Sequence, residues 1–141
     1  MAIDKTLYDR LGGRATFEKV HKIFYDRAYV HEWLGKYFVG KPQMNLENQQ
    51  TDFMIQLMGG PKVYGGKAPK FAHQHMMISD ELFELRAQML SDAIRDAGIA
   101  DNLRKEWLAA DAALKKSIVK KSVAECAVAY ATQSILDFPK V

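Results

Sequence analysis

Apolar residues along this chain recur at spacings of three and four, and the strict alternation of a half-buried strand is almost absent. Leu7, Tyr8 and Leu11 form a short helical stripe that Asp4 is placed to cap and Gly12-Gly13 to stop. A longer helix is expected from about Ala15 to Val30, with Phe17, Val20, Phe24 and Ala28 inward and His21, Tyr25 and Tyr29 on the adjoining side. Trp33 to Phe38 reads as a tight apolar corner that Gly40 and Pro42 keep from continuing. The third helix spans roughly Gln43 to Met58, with Leu46, Gln50, Phe53, Met54 and Leu57 on one face, and Gly59-Gly60-Pro61 ends it. A glycine-rich loop at 59–72 follows, and a short helical turn carries His73. Ser79 or Asp80 then opens a strongly amphipathic helix with Leu82, Phe83, Leu85, Met89, Leu90 and Ile94 inward, terminated by Gly98. Asp101 caps a further helix through Leu103, Trp107, Leu108, Ala112, Leu114 and Ile118, and a last apolar stretch runs from Val123 to Ile135. About six helices and no sheet place the chain in the all-α class.

Composition narrows the reading without redirecting it. A chain of 141 residues suits a single domain over 1–141. Net charge is +3 with Lys and Arg spread throughout, which argues against nucleic acid, where a basic stripe on one face is needed. Lys115, Lys116, Lys120 and Lys121 have the spacing of a solvated helix face. Cys126 is the only cysteine, so no intrachain disulfide forms, and its apolar neighbours suit a small buried thiol. Met1 to Thr6 has no apolar signal core, and no later run approaches the ~20 apolar residues of a membrane span. The expectation is a soluble, cytoplasmic protein with no membrane partner.

Candidate chemistry concentrates around the glycine-rich loop. His-Glu-x-x-His spacing is missing, and one cysteine cannot build a thiolate cluster. His73 and His75 are two apart, so on a helix they point to nearly opposite sides and cannot form a paired site. His31, beside Glu32 and Trp33 at a helix end, reads as structural. His73 is either a satisfied histidine at a helix start or a ligand. Met76, Met77 and Ile78 downstream, with Phe53 and Met54 on another helix, are flat or polarizable groups suited to a macrocycle with a central metal. Tyr25 is a phenol among apolar neighbours, and Gln50 is in phase with Leu46, Phe53 and Leu57. Meeting in one apolar cavity, the two make a hydrogen-bonding site for a small polar ligand.

In order along the chain stand Leu7-Tyr8-Asp9-Arg10-Leu11-Gly12-Gly13, Phe24-Tyr25 twelve residues after the glycine pair, and Phe38 thirteen after Tyr25. Leu46-x-x-x-Gln50, Gly59-Gly60-Pro61, Tyr64-x-Gly66, His73 nine after Tyr64 and Ile78 five after His73 complete the set. This ordered set resembles the truncated haemoglobins, most closely group I, over approximately residues 4–118. The resemblance implies a truncated globin-like two-over-two helical sandwich around haem b, with an additional C-terminal helix over about 119–138. It implies His73 as the proximal iron ligand, Tyr25 as the distal tyrosine, Gln50 as its partner and Leu46 at the distal-helix position beside it. It also implies Phe38 and Phe53 as ring-packing and tunnel residues, Met54, Met77 and Ile78 as further haem contacts, and Tyr64 and Lys70 near the propionates. Diatomic gases (oxygen, nitric oxide, carbon monoxide) are the implied partners. Nitric oxide dioxygenation with a reductase, or a peroxidase-like reaction, is the implied activity, and gas binding or sensing without turnover is the alternative. Arg86 departs from the pattern: groups II and III carry tryptophan thirteen residues after the proximal histidine.

Overall fold

The computed structural model describes residues 5–140, and the expected cap at Asp4 lies outside them. Helix α1 (Leu7–Leu11) is instead capped by Thr6, whose hydroxyl accepts from the Asp9 N–H at 3.2 Å while the Asp9 carboxylate accepts from the Thr6 N–H. Gly12 ends it at φ 98°, a left-handed conformation that side chains disfavour. Helix α2 (Arg14–Ala28) buries Phe17, Val20, Phe24 and Ala28 as expected, together with His21 and Tyr25.

The corner after α2 is a tight 3-10 helix over Leu34–Phe38. His31 caps it: Nδ1 accepts from the backbone N–H groups of Trp33 and Leu34, both at 3.1 Å. Helix α3 (Gln43–Leu57) has two working faces rather than one. Thr51, Met54, Ile55 and Met58 are buried in the core, whereas Leu57, expected inward, is 44% exposed. Helix α4 (Pro69–Ala72) is one turn long, with Pro69 at its start, where a missing N–H costs nothing.

Helix α5 (Asp80–Asp96) begins as expected at Ser79, whose hydroxyl accepts from the Leu82 N–H at 3.2 Å, and Gly98 follows it at φ 86°. Helix α6 (Asp101–Ala112) is shorter than the apolar pattern suggests, and Asp101 is its first residue rather than its cap, which is Ala100. Its remainder re-forms as α7 (Lys115–Ile118). Helix α2 packs on α3 and on α5, and α5 packs on α6, which together make an all-α sandwich.

The additional C-terminal helix is not formed. Only a 3-10 turn at Val123–Glu125 occurs, and residues 126–140 are irregular. The reason is burial: Val123, Val128 and Tyr130 stand 50%, 43% and 61% exposed, so no apolar face drives a helix. The tail's backbone pairs instead with the segment after α4. Ala127 N–H donates to the Gln74 carbonyl and Leu136 N–H to that of His75, both at 2.8 Å, while Met77 N–H donates to the Leu136 carbonyl at 2.7 Å. Cys126 is only half-buried within this tail. Among the described residues no helix is long and apolar enough to cross a membrane.

Candidate functional site

One cavity of about 710 Å³ opens between α2, α3, α5 and the segment after α4, a size usual for a cofactor site. Of the residues singled out from sequence, Tyr25, Phe38, Leu46, Gln50, Phe53, Tyr64, His73 and Ile78 line it together. Met54, Lys70 and Met77 do not. Met54 is fully buried on the core face of α3. Lys70 is exposed, with its ammonium 6.0 Å from the centre of the Phe71 ring. Met77 turns its backbone inward, its carbonyl accepting from the Tyr37 hydroxyl at 2.9 Å, and Met76 lines the cavity in its place.

His73 follows the last residue of α4, so its ring nitrogen Nδ1 reaches back to the Pro69 carbonyl at 2.8 Å. A carbonyl only accepts, so Nδ1 carries the proton and Nε2 keeps the lone pair that binds metals. Burial lowers the imidazole pKa from 6.5 to about 4, the Pro69 hydrogen bond opposing that shift. The imidazole is therefore neutral at pH 7. The helical argument that turned His75 away fails, because residues 73–77 are not helical and His75 also lines the cavity. Its side chain makes no hydrogen bond within the described residues, which is what separates it from His73.

On the α2 side, the Tyr25 phenol is 8% exposed, and no protein group among the described residues bonds its hydroxyl. Burial pushes its pKa well above the usual phenol range, with the charge of Arg86 opposing. Phe38 meets Tyr25 edge-on at 5.8 Å and stacks on Tyr29 at 4.9 Å. Tyr29 itself is withdrawn, its hydroxyl donating to the Lys41 carbonyl at 2.9 Å. Gln49 and Gln50 both line the cavity, Gln50 being the more covered. Tyr64 packs edge-on against Phe53 at 5.2 Å and donates its hydroxyl to the Lys67 carbonyl at 2.5 Å. A Cβ at Gly66 would lie 2.6 Å from the Tyr64 Cζ, which explains why glycine follows that tyrosine two residues later.

Several further residues line the cavity. His21 is 1% exposed, with Nδ1 2.7 Å from the Thr51 hydroxyl and the ring edge-on to Trp107 at 5.8 Å. Burial, helped by the charge of Arg86, lowers its pKa from 6.5 to about 3. Its position one turn before Tyr25 on the same helix was the available signal. Arg86 lines the cavity and pairs with Asp111 through two bonds of 2.9 and 2.6 Å. An acid within the apolar stripe of α6, one turn after Trp107, marked that partner. Lys41 and Lys67 also line the cavity, and neither pairs with a carboxylate among the described residues. Burial lowers the pKa of Lys41.

The residues present fit a haem. They combine a metal-competent neutral imidazole, flat apolar walls from Phe38, Phe53 and Ile78, and two cations without counter-charges among the described residues. Among the described residues no group of three or more His, Cys, Asp or Glu side chains gathers as for a bare metal ion.

The bacterial-like globin family model matches residues 6–120. The chain is 35% identical over 113 residues to the group 1 truncated haemoglobin GlbN of Mycolicibacterium paratuberculosis, covering 80% of this chain and 83% of that one. The group 1 truncated haemoglobin of Tetrahymena pyriformis is 28% identical over 102 residues, covering 72% and 84%. The crystal structure of the Tetrahymena pyriformis truncated haemoglobin in its Fe(III) form superposes with a TM-score of 0.77 at 26% identity, over 83% of this chain and 100% of that one. A group II truncated haemoglobin from Bacillus anthracis shares the fold, with a TM-score of 0.77 at 20% identity over 84% and 94%. With an all-α core matched over residues 6–120 and an irregular tail beyond it, the chain belongs to the bacterial-like globin family, among the group 1 truncated haemoglobins.

Proposed function

We propose that the cavity holds haem b, with His73 as the protein's ligand to iron, and that the protein turns over nitric oxide with oxygen to nitrate. The observation that carries the haem reading is the His73 ring: its Nδ1–H is committed to the Pro69 carbonyl at 2.8 Å, leaving Nε2 as a basic lone pair in an apolar cavity. Phe38, Phe53, Leu46 and Ile78 supply flat contact, and Lys41 and Lys67 replace Lys70 as the cations for the propionates. Bound haem supplies a ferrous iron that takes oxygen, nitric oxide or carbon monoxide.

The chain's own contribution lies in the Tyr25 hydroxyl and the Gln50 carboxamide. Both are donors without protein partners, so both are free to stabilise negative charge that develops on a ligand in the cavity. Such donors slow the release of a polarised ligand, which suits a reaction partner better than a carrier. A gas-binding module without turnover would use the same donors.

Optical spectra of the purified protein test the haem reading. A Soret band that is lost or shifted in His73→Ala and kept in His75→Ala supports the assignment, and the reverse pattern moves the ligand to His75. Removing the Tyr25 hydroxyl in Tyr25→Phe is expected to speed oxygen release about fivefold or more, the value of one hydrogen bond. An unchanged off-rate counts against the donor role. Nitrate formation by the oxygenated protein with nitric oxide and a reductase supports turnover, and its absence leaves the binding-only reading.

A further inference from the structure

Arg86 lies on the inward stripe of α5, one turn from Phe83 and Leu90, and all three line the cavity. Burying a guanidinium on an apolar wall is costly unless it is paired. Asp111 provides the pair, and the pair has a direction. The Asp111 side chain is 2% exposed and lies behind, whereas 23% of the Arg86 side chain remains accessible on a residue that lines the cavity. The cavity therefore faces the positive end. Its neighbours register this: the charge of Arg86 helps lower the pKa of His21 and opposes the upward shift that burial gives Tyr25.

Several donors around the cavity have no acceptor among the described residues. Asp111 engages two of the guanidinium's N–H groups, and the remainder have no protein acceptor among the described residues. The Tyr25 hydroxyl is likewise unpartnered. Trp107, one turn before Asp111 on α6, encloses an Nε1–H that has no partner among the described residues. Among the described residues no Asp or Glu lines the cavity, although Arg86, Lys41 and Lys67 do. A cation with spare planar donors, in a cavity that a free hydroxyl also lines and whose described lining holds no carboxylate, complements a small anion.

We propose that Arg86, with the Tyr25 hydroxyl in the same cavity, forms a subsite for a small monovalent inorganic anion, of the size and charge of azide or nitrite. This goes beyond gas binding, because the recognised feature is the ligand's charge. It rests on the haem reading only where the iron is the anion's second contact.

Azide is the probe and carbon monoxide the neutral control, each titrated by optical spectroscopy into the ferric and ferrous protein respectively. In the double variant Arg86→Met/Asp111→Leu, which leaves no buried charge unpaired, the azide affinity relative to carbon monoxide is expected to fall about tenfold or more, the range of hydrogen bonds to charged groups. Asp111→Asn removes the counter-charge alone and is expected to tighten azide. A ratio within about twofold of the unmodified protein in the double variant overturns the subsite while leaving the haem reading intact. If the double variant does not fold, Asp111→Asn decides, and unchanged or weaker azide binding overturns the proposal. If the purified protein shows no haem spectrum, thermal unfolding in azide against chloride at equal ionic strength replaces the titration. Stabilisation by azide that the double variant loses then upholds the subsite and dismisses the haem reading. Equal stabilisation in both proteins, or none in either, dismisses the subsite.

Discussion

His21 makes the fold's acid sensitivity measurable at a single residue. It is 1% exposed, held at 2.7 Å from the Thr51 hydroxyl, and its pKa falls from 6.5 to about 3 through burial first and the charge of Arg86 second. The folded pKa lies below the unfolded one, so between them the unfolded chain binds the extra proton. Stability contributed by neutral His21 is thus complete above about pH 6.5 and is lost as pH falls toward about 3. From pH 7.5 to 5.0 the loss amounts to about 2 kcal/mol, at roughly 1.4 kcal/mol for each pKa unit crossed. His21→Leu removes that titration and every other group is shared. At pH 7.5 the variant is expected to be less stable by about 1–3 kcal/mol, because the buried Thr51 hydroxyl loses its partner. At pH 5.0 the gap should close by about 2 kcal/mol. Urea unfolding of both proteins at the two pH values reads this as a change of roughly 1 M in the separation of midpoints. A gap that stays constant with pH would refute the reasoning, since it would mean that His21 is already charged or hydrated in the folded protein.

Two other substitutions probe how the site is held. Gly66→Ala places a methyl 2.6 Å from the Tyr64 Cζ, so the ring must leave Phe53 and the Lys67 carbonyl. A drop of about 1–3 kcal/mol in thermal or urea stability is expected, and stability equal to the unmodified protein would count against that packing. Lys120→Met keeps the side chain's length but removes the ammonium, which donates to the carbonyls of His73 and Met76 at 2.9 Å and of Ile118 at 3.1 Å. About 1–2 kcal/mol of stability should be lost, discounted for partial exposure. Amide exchange at Met77 and Leu136 should quicken, and unchanged exchange would show that Lys120 does not hold this segment.

The helices were legible wherever a stripe and a stop signal coincided, as at Ser79 and Gly98 around α5. The α3 face was half legible. Periodicity placed Leu46, Gln50 and Phe53 together, but it could not say that the next stripe, Thr51, Met54, Ile55 and Met58, faces the core and not the cavity. The C-terminal tail misled because an apolar run resembles a helix until exposure shows that it has nothing to pack against. Arg86 and His21 were visible as residues but not as partners. Their roles depend on Asp111 and Thr51, which lie 25 and 30 positions away and meet them only through the packing of α5 on α6 and α2 on α3.

The position of His73 is likewise a property of the whole chain. The segment from Gln74 to Ile78 has no regular structure, and hydrogen bonds from distant residues hold its backbone. The Gln74 and His75 carbonyls accept from Ala127 and Leu136, Met77 bonds both Leu136 and the Tyr37 hydroxyl, and the Ile78 carbonyl accepts from Lys120 N–H at 2.8 Å. The tail is itself anchored at Phe138, whose carbonyl accepts from the Trp33 indole at 2.8 Å and whose N–H donates to the Tyr37 hydroxyl at 3.2 Å. Two of these partners, Ala127 and Leu136, lie beyond residue 120, where the family match ends. The tail that failed to become a helix therefore acts as a strap, coupling the corner at Trp33–Tyr37 to the backbone that carries His73. Its irregularity leaves free the backbone groups that the segment after α4 needs, which a helix would have spent on itself.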